Sequence, residues 1–74
     1  MIFEEIRDIV CEQLGVEENE VTLETTFEDL GADSLDLFQV VIEVEEKYGI
    51  QLEDAESLKN IKDVVDFVEK NRNK

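Results

Sequence analysis

Seventy-four residues suffice for one small domain, close to the lower limit for a core that holds without disulfides or metal. Twenty-one acidic residues against seven basic ones give a formal net charge of −14. That charge excludes nucleic acid and an anionic membrane as partners and favours proteins with basic patches. With 42% hydrophobic residues the chain is not composed like a disordered acidic tail, yet no apolar run is long enough to span a bilayer. Glu4 and Glu5 directly after Phe3 give no signal-peptide pattern, and the single Cys11 has no partner for an internal disulfide. The lone cysteine suits a reducing cytoplasm.

Phe3, Ile6, Val10 and Leu14 recur at three- and four-residue spacing, which predicts a helix over residues 2–14 with one apolar face. Glu4 and Glu5 favour its first turn and Gly15 ends it. Cys11 lies on the flank of that face. The chain has no His, so no Cys-His or Ser-His-Asp nucleophile can be assembled and His metal ligands are excluded. Residues 16–33 form a long connection, which a compact domain must either use or pin down. Val21, Leu23, Phe27 and Leu30 are the expected pins. A short helical turn is expected from Thr26 to Leu30, capped by Thr25 or Thr26, with Glu28 or Asp29 in its first turn.

Gly31 breaks the connection, and Asp33 or Ser34 suits a helix N-cap. From Leu35 to Tyr48 there is no Gly or Pro, and Gly49 suits the end of a helix running from about Ser34. At about 100° per residue, Leu37, Val40, Val41, Val44 and Tyr48 fall together as a core stripe. Leu35, Phe38 and Ile42 form a second apolar stripe, bordered by Asp36, Glu43 and Glu46, with Glu45 on the opposite flank. That second stripe is either the edge of a wide core face or a docking surface. Residues 50–60 allow one short helix, with Leu52 and Leu58 inward. Asn60 and Asp63 read as the cap of a last helix carrying Ile61, Val64, Val65 and Val68, with Lys70, Arg72 and Lys74 complementing its C-terminal dipole. The expected fold is all-α and a single domain over 1–74. It is a small four-helix bundle of three main helices and one short one, with a long loop between the first two. Phe3, Ile6, Val10, Phe27, Val40, Val44, Leu52, Val64 and Val68 are expected in the core.

Ser34 therefore stands where a loop enters a helix, at an end with unpaired N–H groups and partial positive charge, a favourable place for a phosphate ester. A lone serine there is otherwise only a cap. Asp33 and Asp36 lack the spacing and the distal Glu of an EF-hand, so no calcium loop is expected, and no Gly-rich phosphate loop is present. The string GADSLD around Ser34 resembles the phosphopantetheine attachment site of acyl carrier proteins. FEDLGADSLD, the acidic helix ending EVEEKYGI and the closing NIKDVVDFVEK extend that resemblance over nearly the whole chain.

The resemblance implies a carrier rather than an enzyme. A transferase would attach 4′-phosphopantetheine from coenzyme A to Ser34, and the terminal thiol would hold acyl groups as thioesters, by default in type II fatty-acid synthesis. It further implies recognition through Asp33, Leu35, Asp36, Phe38, Gln39, Ile42, Glu43 and Glu46 by a transferase and acyl-processing enzymes with basic docking patches, the carrier itself being a monomer. Gln39 departs from the Glu usual in fatty-acid carriers, and Phe38 is bulkier than the usual aliphatic residue. The connection over 16–33 and the segment over 50–60 are slightly shorter than in those carriers, and the latter lacks a proline often found at its start. These departures leave room for a polyketide, lipid-A-like or aminoacyl cargo. A different class of reading, an acidic helical interaction module whose Ser34 is never modified, also stays open.

Overall fold

The computed structural model describes residues 2–52 and 55–72, the last of these by its backbone. Three helices carry the fold: α1 (Ile2–Leu14), α2 (Ser34–Tyr48) and α3 (Ile61–Arg72). Their bounds follow the periodicity closely, and among the described residues no strand is longer than one isolated bridge, Thr26 to Asn60. No helix among them is long and apolar enough to cross a membrane. The short element between α2 and α3 is a single 3₁₀ turn at Ala55–Ser57, shorter than the expected helix, whose Glu53 and Asp54 lie outside the described residues. Lys74 and the side chain of Arg72, expected to complement the end of α3, also lie outside them.

The core joins all parts of the chain. Ile6 and Val10 of α1 meet Val40, Val41 and Val44 of α2 and Ile61, Val64, Val65 and Val68 of α3, closed by Val21, Phe27 and Leu58 from the connections. α1 packs against both other helices. Each fully buried aliphatic side chain contributes about 1.5–3 kcal/mol over its exposed state. Two residues expected inside, Phe3 and Leu52, are only half-buried. Phe3 stands in the first turn of α1, and the Arg7 guanidinium covers one face of its ring at 5.5 Å from the centroid. Arg7 also reaches Glu18 at 3.9 Å, while Lys47 of α2 reaches Glu5 of α1 at 3.7 Å. Both ion pairs are partly exposed and add little stability.

The long connection is stitched down by backbone as well as by side chains. Val21 and Phe27 are buried and Leu30 is half-buried against the core. Leu23, expected as a pin, is 41% exposed, and its attachment is made by its carbonyl, which accepts from Lys62 N at 2.9 Å. Phe27 N donates to the Lys59 carbonyl and Ile61 N to the Thr25 carbonyl, at 3.1 and 3.0 Å. First-turn amides of α3, which no helix can satisfy internally, thus find acceptors in the loop. The turn at Thr26 forms as expected: Asp29 N donates to Thr26 Oγ1 at 2.9 Å, and Leu30 N to the Thr26 carbonyl at 3.3 Å. A 3₁₀ turn at Glu18–Glu20, closed by Glu17 N donating to Glu20 Oε2, was not expected from the sequence. Asn60 caps α3, with Asp63 N donating to its Oδ1 at 2.8 Å and Asp63 Oδ2 accepting from Asn60 N and Lys59 N.

Candidate functional site

The loop delivers its last residues to α2 through Gly31, whose φ of +75° lies in the region a side chain strains to adopt. Ala32 N then donates to the Phe27 carbonyl at 3.0 Å, which ties this stretch back to the buried pin. Between the two alternatives, Asp33 is the N-cap. Its Oδ1 accepts from Asp36 N at 2.9 Å, and Asp36 Oδ2 accepts from Asp33 N at 3.4 Å, a reciprocal capping box. Ser34 is left as the first helical residue, exposed, with no hydrogen-bond partner for its Oγ among the described residues. The capping task has been taken by its neighbour. A phosphodiester on Ser34 Oγ would project into open solvent beside first-turn amides and the positive end of a 15-residue helix. The residues present fit that group.

Along α2 the two stripes separate by burial. Val40, Val41 and Val44 are buried, with Leu37 and Tyr48 half-buried beside them. Leu35 is 73% exposed and Phe38 and Ile42 are each 44% exposed. The second stripe is therefore solvent-facing and not the edge of a wide core. Asp33, Gln39 and Glu46 are exposed, and Asp36 and Glu43 half-buried, so the structure gathers all these residues around the start and outer face of one helix.

A groove lies beside that face, against the 50–60 segment. Phe38, Val41, Ile42 and Glu45 of α2 form one side of a groove of about 430 Å³, with Leu52, Ala55 and Glu56 across it. That volume falls in the range of small-molecule sites. Glu45 Oε2 accepts from Leu52 N at 2.7 Å, a contact that no residue-type pattern signals because its partner is a backbone amide. Cys11 takes no part. Burial pushes its thiol up, the Glu18 carboxylate adds to the effect, and Arg7 opposes it.

The model of the family described as "Phosphopantetheine attachment site" matches residues 4–68. The acyl carrier protein of Streptococcus pyogenes serotype M1 is 53% identical over 68 residues, 92% of each chain. That of Streptococcus pneumoniae serotype 4 is 52% identical over the same extent. The acyl carrier protein of Lactococcus lactis subsp. cremoris (strain MG1363) is 44% identical over 71 residues, covering 96% of this chain and 97% of that one. With a solvent-facing serine heading its second helix and relatives matched over at least 92% of their length, the chain belongs to the acyl carrier proteins, the family that holds 4′-phosphopantetheine covalently.

Proposed function

We propose that Ser34 is the attachment residue and that residues 1–74 act as one carrier domain for acyl thioesters in type II fatty-acid synthesis. The observation that carries this reading is the division of labour at the start of α2. Asp33 caps the helix, and the Ser34 hydroxyl stays exposed and uncommitted. In the transfer, Ser34 Oγ forms a bond to the pantetheine-bearing phosphorus of coenzyme A. The pyrophosphate link breaks, adenosine 3′,5′-bisphosphate leaves, and the hydroxyl proton passes to solvent or to the transferase. The arm supplies a thiol that holds the acyl group, and tethering gives that group a high effective concentration at each partner's active site. The chain's own residues present the arm and are recognised; they do not catalyse.

Recognition is assigned to Asp33, Asp36, Glu43 and Glu46, which meet Arg and Lys of the transferase and of acyl-processing enzymes, with Leu35, Phe38 and Ile42 as the apolar contact and Gln39 as a neutral one. Charges at the rim set the on-rate and its salt dependence, while the exposed apolar stripe slows release. A monomer working in the cytoplasm suits both the charge and the exposed outer face. Intact mass after co-expression with a broad-specificity transferase and coenzyme A tests the assignment. One added phosphopantetheine is expected on the natural chain and none on Ser34→Ala. Labelling that persists in Ser34→Ala would move the site elsewhere.

A further inference from the structure

Two apolar side chains that the spacing assigns to the core are left uncovered at the same place. Phe3 is half-buried in the first turn of α1, and Leu23 is 41% exposed. Leu23 is held to the fold by its carbonyl, which accepts from Lys62 N at 2.9 Å, so its side chain has no part in that attachment. Together with buried Val21, and with Thr22 and Glu24 beside them, Phe3 and Leu23 line a groove of about 480 Å³. The groove shares no residue with the outer face of α2. Glu5, in the same first turn as Phe3, pairs with Lys47 near the end of α2. At a rise of about 1.5 Å per residue, Lys47 lies about 20 Å along that helix from Ser34. The Phe3 wall therefore stands at the end of α2 remote from the serine.

We propose that this groove is a second docking surface, one that takes an amphipathic helix of a partner protein with apolar residues flanked by Lys or Arg. An exposed apolar patch with a polar rim is the surface such a helix covers, laying its anchors at three- and four-residue spacing. Charge selects the occupant. Glu24 lines the groove, and Glu4 and Glu20, next in sequence to Phe3 and Val21, are exposed. Arg7 is committed to the Phe3 ring and to Glu18, and Lys62, which meets Leu23 through its backbone amide, leaves the carboxylates in excess. A second copy of the chain brings another net charge of −14 and is repelled; a basic segment is attracted. Because the groove is separate from Ser34 and from the outer face of α2, it is open in the loaded and the unloaded carrier alike.

The probe is a synthetic amphipathic peptide with leucine at three- and four-residue spacing, one tryptophan, and lysine elsewhere. Its counterpart carries glutamate in place of lysine. Titrated into the isotope-labelled full chain, the lysine peptide is expected to shift the amide resonances of Thr22, Leu23 and Glu24, with affinity equal in the holo chain and in Ser34→Ala. Leu23→Ser should weaken binding about tenfold and Glu24→Gln about threefold, with phosphopantetheine loading unchanged in both. Leu23→Ser keeps the carbonyl that holds Lys62 N, so its thermal midpoint should stay near that of the natural chain. The resonance map of the natural chain reads the site without any variant. Amides of 22–24 that stay unmoved, or binding lost in Phe38→Ser and kept in Leu23→Ser, overturn the proposal and place the contact on α2. A glutamate peptide that binds as tightly overturns the basic occupant. Self-association of the natural chain that Leu23→Ser abolishes makes a second copy the occupant and overturns it too.

Discussion

The two apolar stripes of α2 are made of similar residues and meet different fates. Val40, Val41 and Val44 are buried in the core cluster they share with residues of α1, α3 and the loop, whereas Leu35, Phe38 and Ile42 stay open to solvent with carboxylates at their border. Periodicity reveals where an apolar side chain points; only the packing reveals whether anything covers it. A small domain of net charge −14 gains nothing for its own stability by leaving Phe38 and Ile42 exposed, and that exposure is what the proposed docking role requires of them.

That contrast can be broken most sharply at the head of the helix. Ser34→Ala should abolish phosphopantetheine loading, read by intact mass, while circular dichroism and thermal midpoint stay close to natural because Asp33 keeps the cap. On the inner stripe, Val44→Ala should destabilise the fold by about 1–4 kcal/mol in denaturant titrations, through lost burial and the cavity left behind. On the outer stripe, Phe38→Ala should lower the transferase's kcat/KM about tenfold, equivalent to ~1.4 kcal/mol of contact, and shift stability by no more than ~0.5 kcal/mol. If Phe38→Ala instead unfolds the domain by several kcal/mol, the outer stripe belongs to the core and the comparison fails.

Salt offers a gentler probe of the same contrast. Added NaCl should raise the thermal midpoint, because self-repulsion is screened beyond about 8–10 Å, and should lower the loading rate, because steering toward a basic transferase is screened too. Millimolar Mg²⁺ should raise the midpoint further. A midpoint that is flat from low to moderate salt would show that repulsion is a minor load on the fold. The smallest effect is expected from Gln39→Glu, which should raise kcat/KM about twofold by restoring one rim charge. A value unchanged in low salt would place Gln39 outside the interface.

Much of this architecture was legible beforehand, and the failures share a cause. The bounds of α1 and α2, the Thr26 turn and the Asn60–Asp63 cap follow from periodicity and local capping chemistry, where both partners lie within a few residues. What could not be read is attachment through main-chain atoms. Leu23 looked like a hydrophobic pin and is instead held by its carbonyl; Glu45 looked like a flank charge and instead holds the Leu52 amide. Every residue owns a carbonyl and nearly every one an N–H, so residue identity carries no trace of such bonds. Phe3 and Leu52 were misjudged for a related reason: apolar spacing assigns a face, and cannot tell the middle of a bundle from its margin. At the site, the motif indicated Ser34 but left the cap ambiguous between two neighbours, which only the hydrogen bond to Asp33 Oδ1 resolves.

The stitching between the loop and the start of α3 has a consequence for synthesis. The bonds from Phe27 to Lys59, from Ile61 to Thr25 and from Lys62 to Leu23 span more than thirty residues of sequence, and the same loop sets the approach to Ser34. On the ribosome, a nascent chain that has exposed Ser34 but not yet residues 59–62 has these loop groups unpaired and lacks the Ile61, Val64 and Val68 side chains that cover α1. The loop that leads to Ser34 can therefore make its final bonds only once residues 59–62 have emerged.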